Sequence, residues 1–363
     1  FEPGSTFKIV TAVAALSDNK IDLVEEFNCE NGEFEYHDIK VTDHEEYGML
    51  TLSQIIQYSS NIGVVKVIER VGRKTLYQTS RSFGFGSLSG ISLAGETVGK
   101  LKPIKKWSAV SNGQTAMGYE VGVSAIQLAV AYCAIANGGY LITPSIVRQI
   151  INHNQDIVYA EETSIIRKIA DEKTMENIRE MLRGVIVNGT GHNAEISGWD
   201  VAGKTGTAQK WKDGKYSNDK FISNFVGFFP YKEPQLLAFI MLDEPNRPYH
   251  WGSEGAAVAF KRVMKRIINM DDDIIPPARK EERIEYANNT TKMDFIIREE
   301  ESIATQTSTL PLGLLSVARY SNKVEMPEVR GFSMRKAMTT LRTAGLKIRW
   351  KGLRTKVKRL LML

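Results

Sequence analysis

The run Pro3-Gly4-Ser5-Thr6 leads straight into an apolar stretch, and Lys8 stands three places after Ser5 on the side about to be buried. The apolar positions predict a helix over 6–16. A lysine carried inside with that helix is costly unless something employs it. The fold must therefore bring other groups to this amine.

The remaining pattern says what kind of fold that is. Further helices are predicted over 52–71, 123–137 and 171–187, each with apolar positions three and four apart, and Gly138-Gly139 closes the third. Strands are predicted late, over 200–210, 221–229 and 236–242, with a helix over 254–268 behind them. Helices followed by a strand meander and a closing helix make an α+β domain with an antiparallel sheet. At 363 residues the chain has room for one large domain and a smaller appendage. Domain one is assigned to 1–268. Residues 269–323 change character, with "MDDDIIPPARKEERIEYANNTTK" and then a Ser/Thr-rich stretch, and read as a linker or irregular extension. From 324 to 363 a small α/β unit follows, its helix opened by Ser333 and stopped by Gly345 before a strand.

Charge is unevenly shared. Residues 324–363 hold 11 basic and 2 acidic side chains, against 36 and 40 in the rest, so a tail of +9 follows a body of −4. Such a tail suits an anionic polymer or membrane surface, or is a solvated helix face. Cys29 and Cys133 read as unlinked thiols. The five histidines are scattered without ligand-like spacing, so no metal and no cofactor are expected. No apolar run is long enough to span a bilayer and no secretory signal is visible, but the chain lacks an initiating Met and starts inside a structural unit. A preceding region is therefore expected.

Three motifs carry the chemistry. In Ser5-Thr6-Phe7-Lys8, a spacing of three puts a hydroxyl and an amine on one helix face. A serine is a poor nucleophile until a base takes its proton, and a neutral Lys8 would do so if burial beside another cation kept it neutral. In Ser59-Ser60-Asn61, polar residues interrupt the apolar stretch "IIQYSSNIGVVKV", as a helix junction or a functional cluster. Ser59 would relay a proton, and Asn61 would orient Lys8 and hold a substrate amide. The third motif, Lys204-Thr205-Gly206-Thr207, has two incompatible readings. "GWDVAGKT" satisfies the phosphate-loop pattern of a P-loop nucleotide hydrolase, with "LLAFIMLDE" as its metal-binding strand. That pattern needs a helix to open at the lysine. The residues after Lys204 instead alternate and then reach Asp213-Gly214, a hairpin turn signal, so Lys204 is placed on a strand. There Thr205 and Thr207 project together as a carboxylate seat, Gly206 admits a substrate backbone, and the Ser5 and Thr207 N–H groups form an oxyanion hole.

The motifs lie 54 and 145 residues apart, in an order shared by penicillin-binding proteins and serine β-lactamases. With "EPGSTFK", "SSNIG", "AMGYEVGVSAIQLAVAYCAIANGG", "VAGKTGTAQ" and "HWGSEGAAVAFKRVM", residues 1–268 resemble the transpeptidase domain of a class B penicillin-binding protein. The resemblance implies a penicillin-binding, serine β-lactamase-like transpeptidase fold, an antiparallel sheet with helices on both faces. It implies a Ser5 acyl-enzyme formed from peptidoglycan stem peptides ending in D-Ala-D-Ala, with release of D-Ala, and acylation of Ser5 by β-lactams. It also implies a role in cell-wall synthesis and division, glycosyltransferase and divisome membrane partners, and a membrane anchor with the catalytic domain outside the cytoplasm. No nucleic acid partner is expected. The family's sheet begins upstream of the nucleophile helix, so this chain alone is expected to fold poorly or react slowly.

"MPEVRGFSMRKAMTTLRTAGLKI" resembles a PASTA domain through Pro327, Gly331, Ala337, Leu341 and Gly345. The likeness fades after Lys351, where the later strands are expected to be missing. Alternatives remain. A serine β-lactamase would need a deacylating base, and no E-x-x-L-N lies between Asn61 and Lys204. A β-lactam sensor fits the chemistry but not the tail, a D,D-carboxypeptidase differs only in its acceptor, and a scaffold that has lost turnover would not keep these residues. Gly118-Tyr119-Glu120 lines the cleft or turns the chain before helix 123–137. Trp211 flanks the substrate or caps the hairpin.

Overall fold

The predicted hairpin anchors the sheet. Strand β1 (Ala202–Lys212) pairs antiparallel with β2 (Lys215–Phe229), and β2 with β3 (Leu236–Asp243). This computed structural model describes residues 1–17, 20–212, 214–270, 274, 334–343, 348–350 and 360–362. Gly214 turns the hairpin at φ +79°, while Asp213 lies outside the described residues. β2 starts six residues before the predicted strand. Its polar first part has no apolar face to betray it; there the ladder shifts register between Gln209 and Trp211, and Trp211 pairs with Tyr216, rings 4.8 Å apart.

Alternation along β2 sorts the core into two layers. Phe225 and Phe229 point to one face, where they meet Trp199 and Phe260 of helix α8 (Ala256–Met270). Val226 and Phe228 point to the other and join the cluster built on α1 (Lys8–Ser17). Helices thus cover both faces of an antiparallel sheet, the α+β arrangement expected. The other helices of this unit are α2 (Leu52–Tyr58), α3 (Asn61–Val71), α4 (Arg73–Ser82), α5 (Ser111–Met117), α6 (Ala125–Ala136) and α7 (Glu172–Val187). Capping residues fix several starts: Thr51 with Gln54 and Ser124 with Gln127 form capping boxes, and Asp171 caps α7.

Two predicted elements differ. The first helix opens as a 3₁₀ turn over Gly4–Phe7 and becomes α-helical at Lys8. The single helix predicted over 52–71 is two, because Ser59 adopts a left-handed conformation (φ 63°) and Ser60 restarts the chain by accepting from Gly63 N. Both cysteines are free thiols, with Cys29 buried.

The chain divides into two compact units, Phe1–Pro276 and Pro277–Leu363. Helix α8 runs to Met270, and Ile274 belongs to the core behind it. In the second unit α9 (Met334–Thr343) carries Ala337 and the buried Leu341, and β4 (Ile348–Trp350) pairs antiparallel with β5 (Leu360–Met362). The stretch after Lys351, from which no strand is expected, thus supplies one. Pro327, Gly331, Ser333 and Gly345, like residues 275–323 of the expected extension, lie outside the described residues.

Candidate active site

The turn that carries Ser5 is held from three sides. Pro3 O accepts from Thr6 Oγ1 at 2.9 Å and from Asn224 Nδ2, on β2, at 3.2 Å. Gly4 N donates to Gly118 O at 3.2 Å. A side chain at Gly118, which ends α5 at φ +90°, would come within 2.0 Å of Gly4 O, so only glycine lets α5 abut this turn. Ser5 thereby stands, half-buried, in the wall of a cavity of about 520 Å³.

Behind Ser5 lie two lysines, both fully buried. Lys8 Nζ donates to Ser59 O (2.5 Å) and Asn61 Oδ1 (2.7 Å), and lies 3.4 Å from Ser59 Oγ. Lys204 Nζ reaches the same Ser59 Oγ at 2.9 Å and Thr205 O at 3.3 Å. The left-handed turn at Ser59 is what aims its carbonyl and hydroxyl at both amines. Among the described residues no hydrogen bond joins Ser5 to Lys8, whose donors are taken by Ser59 and Asn61. Burial pulls the Lys8 amine down to about 7, against a smaller upward pull from Asp43. Burial, then the nearby Lys8, holds Lys204 well below the ordinary lysine range. An amine fit to act as a base near neutrality therefore sits where the Ser5–Lys8 spacing puts it.

The strand motif supplies the opposite wall. Thr205 and Thr207 both face the cavity; Thr205 Oγ1 lies 2.7 Å from Thr190 Oγ1, and Thr207 Oγ1 accepts from Gly252 N at 2.9 Å. Gly206 faces the other way, opposite Asn224 in the ladder. Its missing side chain makes room for the Asn224 amide, only 2.5 Å from where a Cβ would stand, and not for a ligand as its position in the motif suggests. The P-loop reading fails on the same geometry. Lys204 is buried as the third residue of β1, the strand continues to Lys212, and residues 236–243 form the neighbour of β2 in an antiparallel sheet. No helix opens at Thr205 to receive a phosphate.

Other residues were not legible as site residues. Asp43, from the loop after strand Ile39–Thr42, accepts from Asn61 N (2.5 Å), Ile62 N (3.1 Å) and Ser60 Oγ (2.5 Å). Thr190 follows α7 between two glycines, and that local signal is its only trace in sequence. Asn61 Nδ2 donates to Thr42 O at 2.8 Å, leaving one N–H of its amide for a ligand. Tyr119 lines the cavity, whereas Glu120 and Trp211 line an adjoining cleft of about 800 Å³. Trp211 is 62% exposed and packs on Tyr216 at the hairpin end.

Known proteins resemble this chain in sequence and fold. The family model for the penicillin binding protein transpeptidase domain matches residues 1–265. Stage V sporulation protein D of Bacillus subtilis is 35% identical over 295 residues, covering 80% of this chain and 45% of the relative. The probable peptidoglycan D,D-transpeptidase PenA of Neisseria meningitidis is 31% identical over 270 residues, covering 74% and 44%. The chain thus spans less than half of the length of these relatives. The transpeptidase domain of Burkholderia pseudomallei penicillin-binding protein 3 superposes with a TM-score of 0.68 at 30% identity, covering 77% of this chain and 81% of that one. Penicillin-binding protein 3 of Mycobacterium tuberculosis, complexed with ampicillin, gives 0.69 at 29%, covering 77% and 64%.

Proposed function

The chain belongs to the penicillin-binding protein transpeptidase family, and on that premise we propose that it is a serine D,D-transpeptidase acting on peptidoglycan stem peptides. The observation that carries the reading is the single Ser59 hydroxyl shared by two buried amines beside Ser5. Neutral Lys8 takes the Ser5 proton as Oγ bonds to the carbonyl carbon of the penultimate D-Ala. The oxyanion that forms is met by the Ser5 and Thr207 N–H groups. Its C–N bond then breaks, and the leaving amine takes a proton from Lys8 through Ser59, so D-Ala departs and an ester remains on Ser5. An amine from a second stem attacks that ester; the new amide forms, the C–Oγ bond breaks, and a proton returns to Ser5. Thr205 and Thr207, backed by Lys204, seat the terminal carboxylate. A β-lactam presents the same carboxylate and a strained amide, and stops at the ester.

The same premise supports a role in cell division, a membrane-anchored protein whose catalytic domain works outside the cytoplasm, and partnership with glycosyltransferase and other division proteins. Among the described residues no helix is long and apolar enough to cross a membrane. The second unit, by the likeness of its sequence, is proposed as a PASTA-type module. Intact-mass spectrometry after penicillin treatment tests the chemistry: one adduct, mapped to Ser5, is expected, and an adduct elsewhere or none refutes it. Product analysis with a paired stem peptide separates transfer to an amine from the hydrolysis of a carboxypeptidase or β-lactamase.

A further inference from the structure

Asp43 takes no part in the acyl-transfer steps, yet it is the carboxylate that closes the site from behind. It comes from a different hairpin, Glu33–Tyr36 with Ile39–Thr42, some sixteen residues before Ser59. Its Oδ1 accepts from the first two N–H groups of α3, Asn61 N and Ile62 N, and its Oδ2 from Ser60 Oγ. Ser60 Oγ in turn accepts from Gly63 N at 2.8 Å. The helix start that presents Ser59 and Asn61 to Lys8 is therefore clamped by one anion, where helix geometry favours a negative charge.

Resting on the acyl-enzyme reading, we propose that Asp43 is a positioning residue for acylation: it fixes the Ser59–Asn61 junction around Lys8 and, as the nearest anion, sets the pH at which Lys8 becomes the neutral base. Two further observations support it. Asn61 is held from both sides, through its N–H by Asp43 and through its Oδ1 by Lys8, so carboxylate and amine share one intermediary. Of the charged and titratable groups around the cavity, Asp43 alone opposes the burial that drives Lys8 toward neutrality. The others are Lys204 on β1, whose charge acts against a proton on Lys8, His44 beside Asp43, Glu254 in the loop after β3, and Tyr58 and Tyr119.

The test is the pH profile of penicillin acylation in Asp43→Asn, which keeps an oxygen acceptor for Asn61 N and Ile62 N but removes the charge. Without the charge Lys8 loses its proton at lower pH, so the acid limb moves down by about one unit. At one unit below the wild-type midpoint the rate, as a fraction of its own plateau, then rises about five-fold. A limb that stays put or moves up overturns the proposal, even if the overall rate falls. Ser60→Ala, which loosens the clamp and keeps the charge, is expected to lower the plateau without moving the limb; a shift equal to that of Asp43→Asn also overturns it. If Asp43→Asn does not fold, Asp43→Glu takes its place: a retained limb is expected, and a limb lowered by a full unit refutes the role of the charge. Failure of the underlying reading looks different, since wild-type protein would then give no Ser5 adduct at any pH.

Discussion

Replacing Gly206 by alanine tests whether this glycine serves the ligand or the sheet. Its φ is not in the left-handed region, so an alanine meets no backbone strain there. The added Cβ instead lands 2.5 Å from Asn224 Oδ1, 2.8 Å from Nδ2 and 2.9 Å from Cγ. Asn224 is fully buried, and no hydrogen-bond partner satisfies its Oδ1. On the opposite face the backbone of Gly252 lies against the same strand, since a Cβ there would lie 2.5 Å from Gly206 O and 2.8 Å from Asn224 O. The strand therefore has little room to back away from the amide. Overpacking of this kind costs about 1–3 kcal/mol. Losing the Asn224–Pro3 hydrogen bond adds about 1 kcal/mol, while alanine recovers roughly 0.5–1 over glycine in a strand. The net is about 1–3.5 kcal/mol, or roughly 2–6 °C in Tm for a domain of this size. Because Asn224 grips Pro3, two residues before Ser5, its displacement also moves the nucleophile. A shift on the order of 1 Å costs about a hundred-fold in rate.

The assay is thermal unfolding at a fixed scan rate, with the second-order rate of penicillin acylation measured on the same samples. Both are expected to fall together. Adding Asn224→Ala opens space for the new methyl, so the double variant should lose less stability than the sum of the single changes. An unchanged Tm with slowed acylation would refute the reasoning, because it would mean that the glycine faces the ligand after all. Unchanged values of both would refute it more simply.

The site sets three further outcomes. Wild-type acylation should rise with pH through an acid limb near 7, because Lys8 becomes neutral there and not near 10; a limb above pH 9 would contradict the base assignment. Lys8→Met should abolish acylation and also flatten stability against pH. The folded-state value of Lys8 is depressed, so burying it costs nothing above the unfolded value, and stability is lost progressively as pH falls from there to about 7. Urea unfolding at pH 7 to 10 should therefore lose about 1.4 kcal/mol per pH unit of slope, one proton's worth, and an unchanged slope would argue against a depressed Lys8. Thr205→Val removes the hydroxyl that meets Thr190 at 2.7 Å, and should slow a free-acid penicillin about ten-fold more than its methyl ester; equal slowing would place the carboxylate elsewhere.

Sequence reading succeeded where the signal depends on short separations. Ser5 and Lys8 share a turn, and the alternation after Lys204 separates a strand from a helix without any knowledge of the rest. The break at Ser59 was visible as a polar interruption, but its left-handed backbone was not. That conformation depends on Ser60 and Asp43 restarting α3, and Asp43 arrives from another hairpin. Gly206 shows the limit most clearly. Which face it serves is decided by its pairing with Asn224, hence by the length of the β1–β2 hairpin. A slip of one residue would turn Thr205 and Thr207 away from the cavity. Between Gly206 and the turn the ladder shifts register after Gln209, and neither that irregularity nor the polar start of β2, over 215–220, carries an apolar signal.

The site's chemistry and its instability have one origin. Lys204 is buried with Ser59 Oγ and Thr205 O as its hydrogen-bond partners, and no carboxylate pairs with it among the described residues. Asp43, the closest anion to its neighbour Lys8, already accepts two helix N–H groups and a hydroxyl. A charge in that position is poorly compensated, which lowers both amines and weakens the folded state. Giving Lys204 a fixed acidic partner would cure the instability, but it would also occupy the place where a substrate carboxylate must sit. Leaving the amine unpaired lets the ligand complete the electrostatics and take the stabilisation as binding. The free protein is then less stable than its sequence could make it, and the deficit is located at the residues on which acyl transfer depends.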